Sequence, residues 1–145
     1  MKVSIRHVEK SQEEQVIIEC MEVTGDVEDI RNYAQIKGAV LNGNIGERIY
    51  QIRIEDIFYF EAVEKRVFAY TENKVYDIKS RLYQLESDLA DRLFCRCSKS
   101  VLINLMKLDH IAPALNGRFT ATLQNGEKLM VSRQYAASVI RAVQV

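Results

Sequence analysis

Between Phe94 and Asn104 the chain reads Phe-Cys-Arg-Cys-Ser-Lys-Ser-Val-Leu-Ile-Asn. Within it, Arg96, Ser98, Lys99 and Ser100 crowd a rigid fork of donors, a point charge and two hydroxyls into a few positions. These groups suit phosphate oxygens and base edges. They also suit an ordinary polar loop between a helix and a strand. Local composition alone leaves both readings open.

Cys95 and Cys97 flank Arg96 and invite a metal or redox reading. A Cys-x-Cys pair needs further ligands to close a zinc site, and only Cys20, His7 and His110 remain, with no ligand spacing. Structural cysteines are the simpler reading, since a redox switch would need a thiol of lowered pKa. Nucleophilic catalysis has less support. There is no G-x-S-x-G or S-x-x-K, and no histidine lies near Ser98 or Ser100 in sequence. No glycine-rich phosphate loop is present. The chain is expected to be a non-enzyme with no cofactor, no metal and no small-molecule substrate.

The 145 residues carry 20 Lys/Arg and 20 Asp/Glu. The balance hides an asymmetry. Residues 1–46 hold 5 basic and 8 acidic side chains, whereas residues 92–145 hold 8 and 2. A basic C-terminal third on a neutral protein fits one cationic face, which is what attraction to phosphate requires. No apolar run is long enough to span a membrane, no signal peptide is visible, and three cysteines make no disulfide framework. Cytoplasm is the expected compartment.

These side chains need elements to hold them. Residues 2–9 and Gln15 to Val23 read as two strands, and Val27, Ile30 and Ala34 as one face of a helix ending near Lys37. Asp26 is expected to cap that helix and Asp29 to favour its first turn. This acidic part would dock on the main domain or bind a partner. Gly38, Gly43 and Gly46 mark a seam, with Asn42-Gly43-Asn44 read as a hairpin turn between Ala39–Leu41 and Ile45–Ile54. Strands follow at Ile57–Phe60, Val67–Thr71 and Lys74–Ile78. Val63 to Arg66 forms the turn between the first two.

Lys79 to Arg92 is the strongest helix, capped by Ser80, with Leu82, Leu85, Leu89 and Leu93 on one face. Four leucines are too few for a zipper. Val101–Leu105 reads as a buried strand whose Asn104 ties a turn in the core. Turns at Asn116-Gly117 and Asn125-Gly126 bracket the alternating strand Phe119 to Leu123, and Lys128–Val131 follows. Ser132 is expected to cap a last helix, Arg133 to Val143, with Tyr135, Val139, Ile140 and Val143 inward. No helix-turn-helix recognition helix is apparent, so DNA would be reached by loops on a β scaffold.

Five segments, in order, resemble the LytTR family of bacterial DNA-binding domains. Phe94 to Asn104 is similar to its F-x-R-x-[HS]-x-S-x-[LI]-[VI]-N core. Ile54–Ala62 resembles its first core strand, and Leu82, Leu85 and Leu89 its leucine-rich helix. Asn116–Arg118 through Asn125–Glu127 resembles its late hairpin, and Val131–Tyr135 its closing S-R-x-Y. The likeness runs from about Glu47 to Val143.

The resemblance implies a mostly β scaffold that places loop side chains in successive major grooves. It puts Lys99 at a central base-reading position. Arg133 falls at the base-reading position before the last helix, where a helix N-terminus also favours phosphate. Arg96, Ser98, Ser100 and Arg118 match backbone-contacting positions. Tyr70 stands where family members place a base reader, after a turn whose Lys65 and Arg66 are either further contacts or a solvated tip. Two positions depart from the pattern: Ser98 replaces the common loop histidine, and Tyr70 sits where some members carry histidine.

The expected fold is therefore α+β, mostly β. It comprises a LytTR-like sheet scaffold over residues 47–145, with a leucine-rich core helix and a C-terminal helix, and a small acidic α/β extension over residues 1–46. The expected function is sequence-specific binding of double-stranded promoter DNA by a transcriptional regulator, as a homodimer on paired half-sites. Forty-six residues are too few for a receiver domain, so regulation is expected through the extension, a partner or expression level. Stand-alone relatives imply an inhibitory membrane-protein partner. The alternative is a β-rich interaction module whose basic turns bind an acidic partner.

Overall fold

A computed structural model describes residues 1–37, 39–90 and 93–144. Among these, ten strands form two antiparallel sheets with three α-helices. The larger sheet holds β1 (Val40–Ile45), β2 (Arg48–Arg53), β3 (Tyr59–Val63), β4 (Arg66–Tyr70), β5 (Val75–Ile78), β6 (Phe94–Ser98) and β7 (Val101–Asn104). Its order is β2-β1-β5-β4-β3-β7-β6. The smaller sheet is β10-β9-β8, built from β8 (Leu108–Pro113), β9 (Phe119–Leu123) and β10 (Lys128–Val131). The helices are α1 (Gly25–Ile36), α2 (Leu82–Leu89) and α3 (Arg133–Gln144).

Side-chain alternation splits the core in two, because successive strand residues face opposite sides. Phe60, Val67, Ala69 and Leu102 face α2, where Leu82, Leu85 and Leu89 are buried against them. Each such leucine is worth about 1.5–3 kcal/mol. Tyr59, Val101, Ile103 and Cys97 face the other way, onto Ala121, Leu123 and Val131 of the small sheet and Ala136 and Val139 of α3. The larger sheet is thus the middle layer of three. Pro113, which has no N–H for a ladder, ends β8 on an edge of the small sheet.

Several expectations are corrected. Residues 1–23 form no strand: they lie outside regular secondary structure around a turn in which Gln12 N–H donates to Glu9 O at 2.9 Å. Thr24, not Asp26, caps α1, its hydroxyl accepting from Val27 N–H, and Asp26 and Glu28 supply the acidic first turn in place of Asp29. Asn42-Gly43-Asn44 is strand, not turn. A Cβ on Gly43 would lie 2.5 Å from Ile52 Cδ1 and 2.8 Å from Tyr76 Cβ, so this glycine serves close packing. The turn is Gly46-Glu47, where Gly46 has φ +60°. Gly38 lies outside the described residues.

The leucine helix is shorter than expected. Its first turn is closed by Gln84 Oε1 accepting from Arg81 N–H at 2.9 Å, not by Ser80. Residues 91 and 92 lie outside the described residues, and Leu93, at φ +71°, has left the helix. Phe94 to Ser98, expected as a loop, is strand β6, paired with β7 in a hairpin whose turn is Lys99-Ser100. On α3, Val143 is exposed and Ala136 is buried in its stead.

Asn104 is wholly buried, as expected of a core asparagine. Its Nδ2 donates to Ile57 O at 2.8 Å and its Oδ1 accepts from Met106 N–H at 3.0 Å. It pins the segment entering β3 to the turn leaving β7. Asn104→Ala would strand the buried Ile57 carbonyl and the partly buried Met106 amide, each costing about 1–3 kcal/mol at full burial. Denaturant titration should show a loss of about 2–4 kcal/mol; a loss under half a kcal/mol would remove Asn104 from this role.

Candidate nucleic-acid interface

Three chain segments far apart in sequence meet at one end of the two packed sheets. The first is the β6–β7 turn. A register shift between Arg96 and Ser98 twists the end of β6, and Ser100 N–H donates to Ser98 Oγ at 3.3 Å. Lys99 at the tip is exposed. The second is the turn after β8, where Asn116 (φ 62°, ψ 38°) and Gly117 (φ 75°) occupy left-handed conformations. The third is the junction of β10 with α3. There Ser132 N–H donates to Cys97 O at 2.9 Å, and Tyr135 N–H to Ser132 O at 3.0 Å. The Ser132 to Cys97 bond crosses from the small sheet to the large one and brings the start of α3 beside the Lys99 turn.

Together they enclose an open cleft of about 880 Å³. Lys99, Arg118 and Arg133 line it, with Ser98, Ser100 and Ser132 between them. No carboxylate is among its lining residues, and among the described residues none of its three cations has an ion-pair partner. The acid nearest to Arg133 in sequence, Glu127, instead accepts from Tyr59 OH at 2.6 Å. The free backbone N–H groups opening α3 add positive potential at the same place, and no acidic side chain occupies its first turn. Gly117 matters to Arg133: a Cβ there would lie 3.0 Å from Arg133 Cδ and 3.2 Å from Cγ, so the arginine stem lies across a bare backbone.

The cleft gathers Lys99, Arg133, Ser98, Ser100 and Arg118. It does not gather the other expected residues. Arg96 is only 13 % exposed, its Nη2 donating to Glu86 Oε1 of α2 at 3.0 Å and its Nη1 to Lys99 O at 2.8 Å. It holds the Lys99 turn from behind. Tyr70 lies toward the far end of β3, stacked on Tyr59 at 4.4 Å with its hydroxyl donating to Glu61 at 3.1 Å. Burial and then that carboxylate push the Tyr70 hydroxyl pKa up. Burial, with Glu127 behind it, does the same to Tyr59. The β3–β4 turn is Glu64-Lys65, and Arg66 opens β4 opposite Val63; both basic residues lie at the same sheet end as Lys99, for Ala62 N–H donates to Ser100 O at 2.8 Å. Neither lines the cleft, and Arg66 is engaged by Asp77 and the Phe68 ring. Conversely, Asn116, Gln134 and Tyr135 do line it. The Asn116-Gly117 turn signal and the residues adjoining Arg133 were the available clues to them.

Comparison with known proteins adds the following. The family model described as LytTr DNA-binding domain matches residues 47–144. An uncharacterized HTH-type transcriptional regulator of Staphylococcus aureus (strain MSSA476) is 29% identical over 141 residues, covering 96% of this chain and 95% of its own. A similarly described regulator of Staphylococcus aureus (strain bovine RF122 / ET3-1) is 33% identical over 103 residues, 71% of this chain and 69% of its own. The sensory transduction protein LytT of Enterococcus faecalis is 32% identical over 89 residues, 61% of this chain and 37% of its own. In fold, the chain is similar to the LytTr DNA-binding domain of a methyl-accepting/DNA response regulator from Bacillus cereus. That match has a TM-score of 0.70 at 23% identity and covers 74% of this chain and 98% of the other. The helix-turn-helix in the relatives' descriptions has no counterpart among the described residues, whose three helices are each separated by five strands.

Cys95 and Cys97 both face the small sheet and α3. Burial pushes the Cys95 thiol up to about 11, helped by Glu86, and the Cys97 thiol up to about 12. Both stay protonated near neutrality and are poor nucleophiles. Cys20 is exposed. Thiol titration of the native protein at pH 8 should give one fast equivalent, rising to three in denaturant. Rapid native labelling of Cys95 would overturn this assignment.

Proposed function

The chain belongs to the LytTr DNA-binding domain family, and from that premise we propose that it is a transcriptional regulator that reads double-stranded promoter DNA with the side chains of the Lys99–Arg118–Arg133 cleft. The observation that supports this most is the convergence of three unpaired cations and a helix N-terminus on one carboxylate-free cleft. Phosphate attraction needs the charge, and sequence reading needs side chains that reach past the backbone.

In this reading Arg133 forks onto a guanine edge while Lys99 contributes a second base or phosphate contact in the next groove. Arg118, Ser98 and Ser100 fix register on phosphates. Arg96 acts indirectly, holding the Lys99 carbonyl so that the ammonium points outward. Tyr70 takes no part, and Lys65 contributes field rather than contact. Two further partners belong to the reading: a second copy on an adjacent half-site, and a small membrane protein that restrains the regulator.

The test is selection of binding sites from a randomised duplex library, then footprinting of the selected duplex. A chain that retains bulk DNA, heparin and the selected duplex equally at about 150 mM salt is not a sequence reader. Its cleft would then fit an acidic protein partner instead.

Three variants dissect the cleft. Lys99→Ala should lose about 1–3 kcal/mol of specific binding if it reads a base, and equal losses on selected and bulk DNA would confine it to phosphate. Arg133→Lys should keep bulk binding but lose preference for the selected duplex, because the charge remains and the fork does not. Arg133→Ala should lose both while melting normally.

Gly117→Ala places a side chain in the left-handed region and against Arg133. It should cost about 1–2 kcal/mol of stability and lower duplex preference in the protein that remains folded. Unchanged preference would show that the Arg133 stem does not need that seat.

A further inference from the structure

Residues 1–23 are the least satisfied part of the described chain. Their one mutual backbone hydrogen bond is the Gln12 to Glu9 turn, backed by Glu9 N–H donating to Gln12 Oε1 at 3.0 Å. On either side the chain enters neither helix nor strand. The two arms, residues 1–6 and 15–20, border one open cavity of about 850 Å³ together with Val27 and Ile30 of α1, and no ladder joins them. Val3, Ile5, Val16 and Ile17 are 85, 88, 70 and 66 % exposed. Backbone with unpaired donors and acceptors, flanked by exposed apolar side chains, is open to pairing with a second chain.

The arms differ in charge. Residues 2–10 carry Lys2, Arg6 and Lys10 against one acid, Glu9, whereas residues 13–22 carry Glu13, Glu14, Glu19 and Glu22 and no Lys or Arg. A surface with one basic arm and one acidic arm is complementary to itself under a twofold axis. The basic arm of one copy then faces the acidic arm of the other, twice over. Like arms placed together would repel, so the charges also select the pairing.

We propose that residues 1–23 form a homodimer interface in which each copy's arms receive the oppositely charged arms of a second copy. An unrelated apolar partner would satisfy the exposed valines and isoleucines but not both charge signs; a second copy satisfies all of them. The interface lies outside the basic cleft and does not depend on the DNA reading, so it is tested without DNA.

The experiment is sedimentation velocity of the full chain at micromolar concentration, with two charge-reversed variants. One is Lys2→Glu with Arg6→Glu; the other is Glu14→Lys with Glu19→Lys. Wild type should be a dimer. Each variant alone should dimerise about a hundredfold more weakly or not at all, and an equimolar mixture should regain the dimer. Thermal melts should be unchanged, since residues 1–23 supply nothing to either core cluster. The milder Lys2→Gln with Arg6→Gln should give an intermediate loss, and added salt should weaken the wild-type dimer.

Wild type that stays monomeric overturns the proposal. So do reversed variants that remain dimers, which would locate the interface elsewhere. A mixture that fails to re-form the dimer overturns it too, because the arms would then close on their own chain or serve a different protein.

Discussion

One backbone hydrogen bond, from Ser132 N–H to Cys97 O, sets the geometry on which the cleft depends. It leaves the end of β10 and reaches β6 across the two sheets, between the fully buried Val131 and Cys97. Lys99 lies two residues beyond one end of that bond, and Arg133 one residue beyond the other. Buried side chains around it fix the separation more tightly than the exposed cations could, because each long side chain would otherwise lose rotamer entropy to hold a position in water.

The electrostatics follow from where the acids go. Glu127 is drawn onto the Tyr59 hydroxyl, Glu61 onto Tyr70, and Glu86 onto Arg96. Glu86 is matched by a cation, whereas the carboxylates on the Tyr59 and Tyr70 hydroxyls keep their charge but are not among the residues lining the cleft. The Tyr59 bond also fastens the middle layer to the β9–β10 turn of the small sheet, whereas the Tyr70 bond stays within the larger sheet, between β4 and β3. Arg96 shows the converse. Its guanidinium is spent inside the protein, and a count of basic residues in the Phe94–Asn104 stretch overstates the charge that stretch offers to a ligand.

The strands β3, β4, β5, β7, β9 and β10 and the helices α2 and α3 were legible because alternation, the leucine stripe and the Asn116-Gly117 and Asn125-Gly126 turns are local signals. Lys99, Arg118 and Arg133 were expected from family spacing, and the structure brings the three to one cleft. What was not legible depended on distant partners. Gly43 looked like a turn because its role, leaving room for Ile52 and Tyr76, is invisible along the chain. Arg96 looked free because Glu86 is ten residues away on another element. The first 23 residues alternate like strands, but a strand needs a neighbour, and they pair with none among the described residues.

Because the cleft is shared by two hydrogen-bonded sheets, its stability is that of their docking and not that of either ladder. Separation of the small sheet and α3 from the middle layer would abolish the constellation while every hairpin stayed intact. In the language of native-state hydrogen exchange, the Ser132 amide reports that sub-global opening, whereas amides inside β3 and β4 report unfolding of the sheet they share. The site thus has a free energy of its own, set by Ala121, Leu123, Val131 and Val139 packing beneath it.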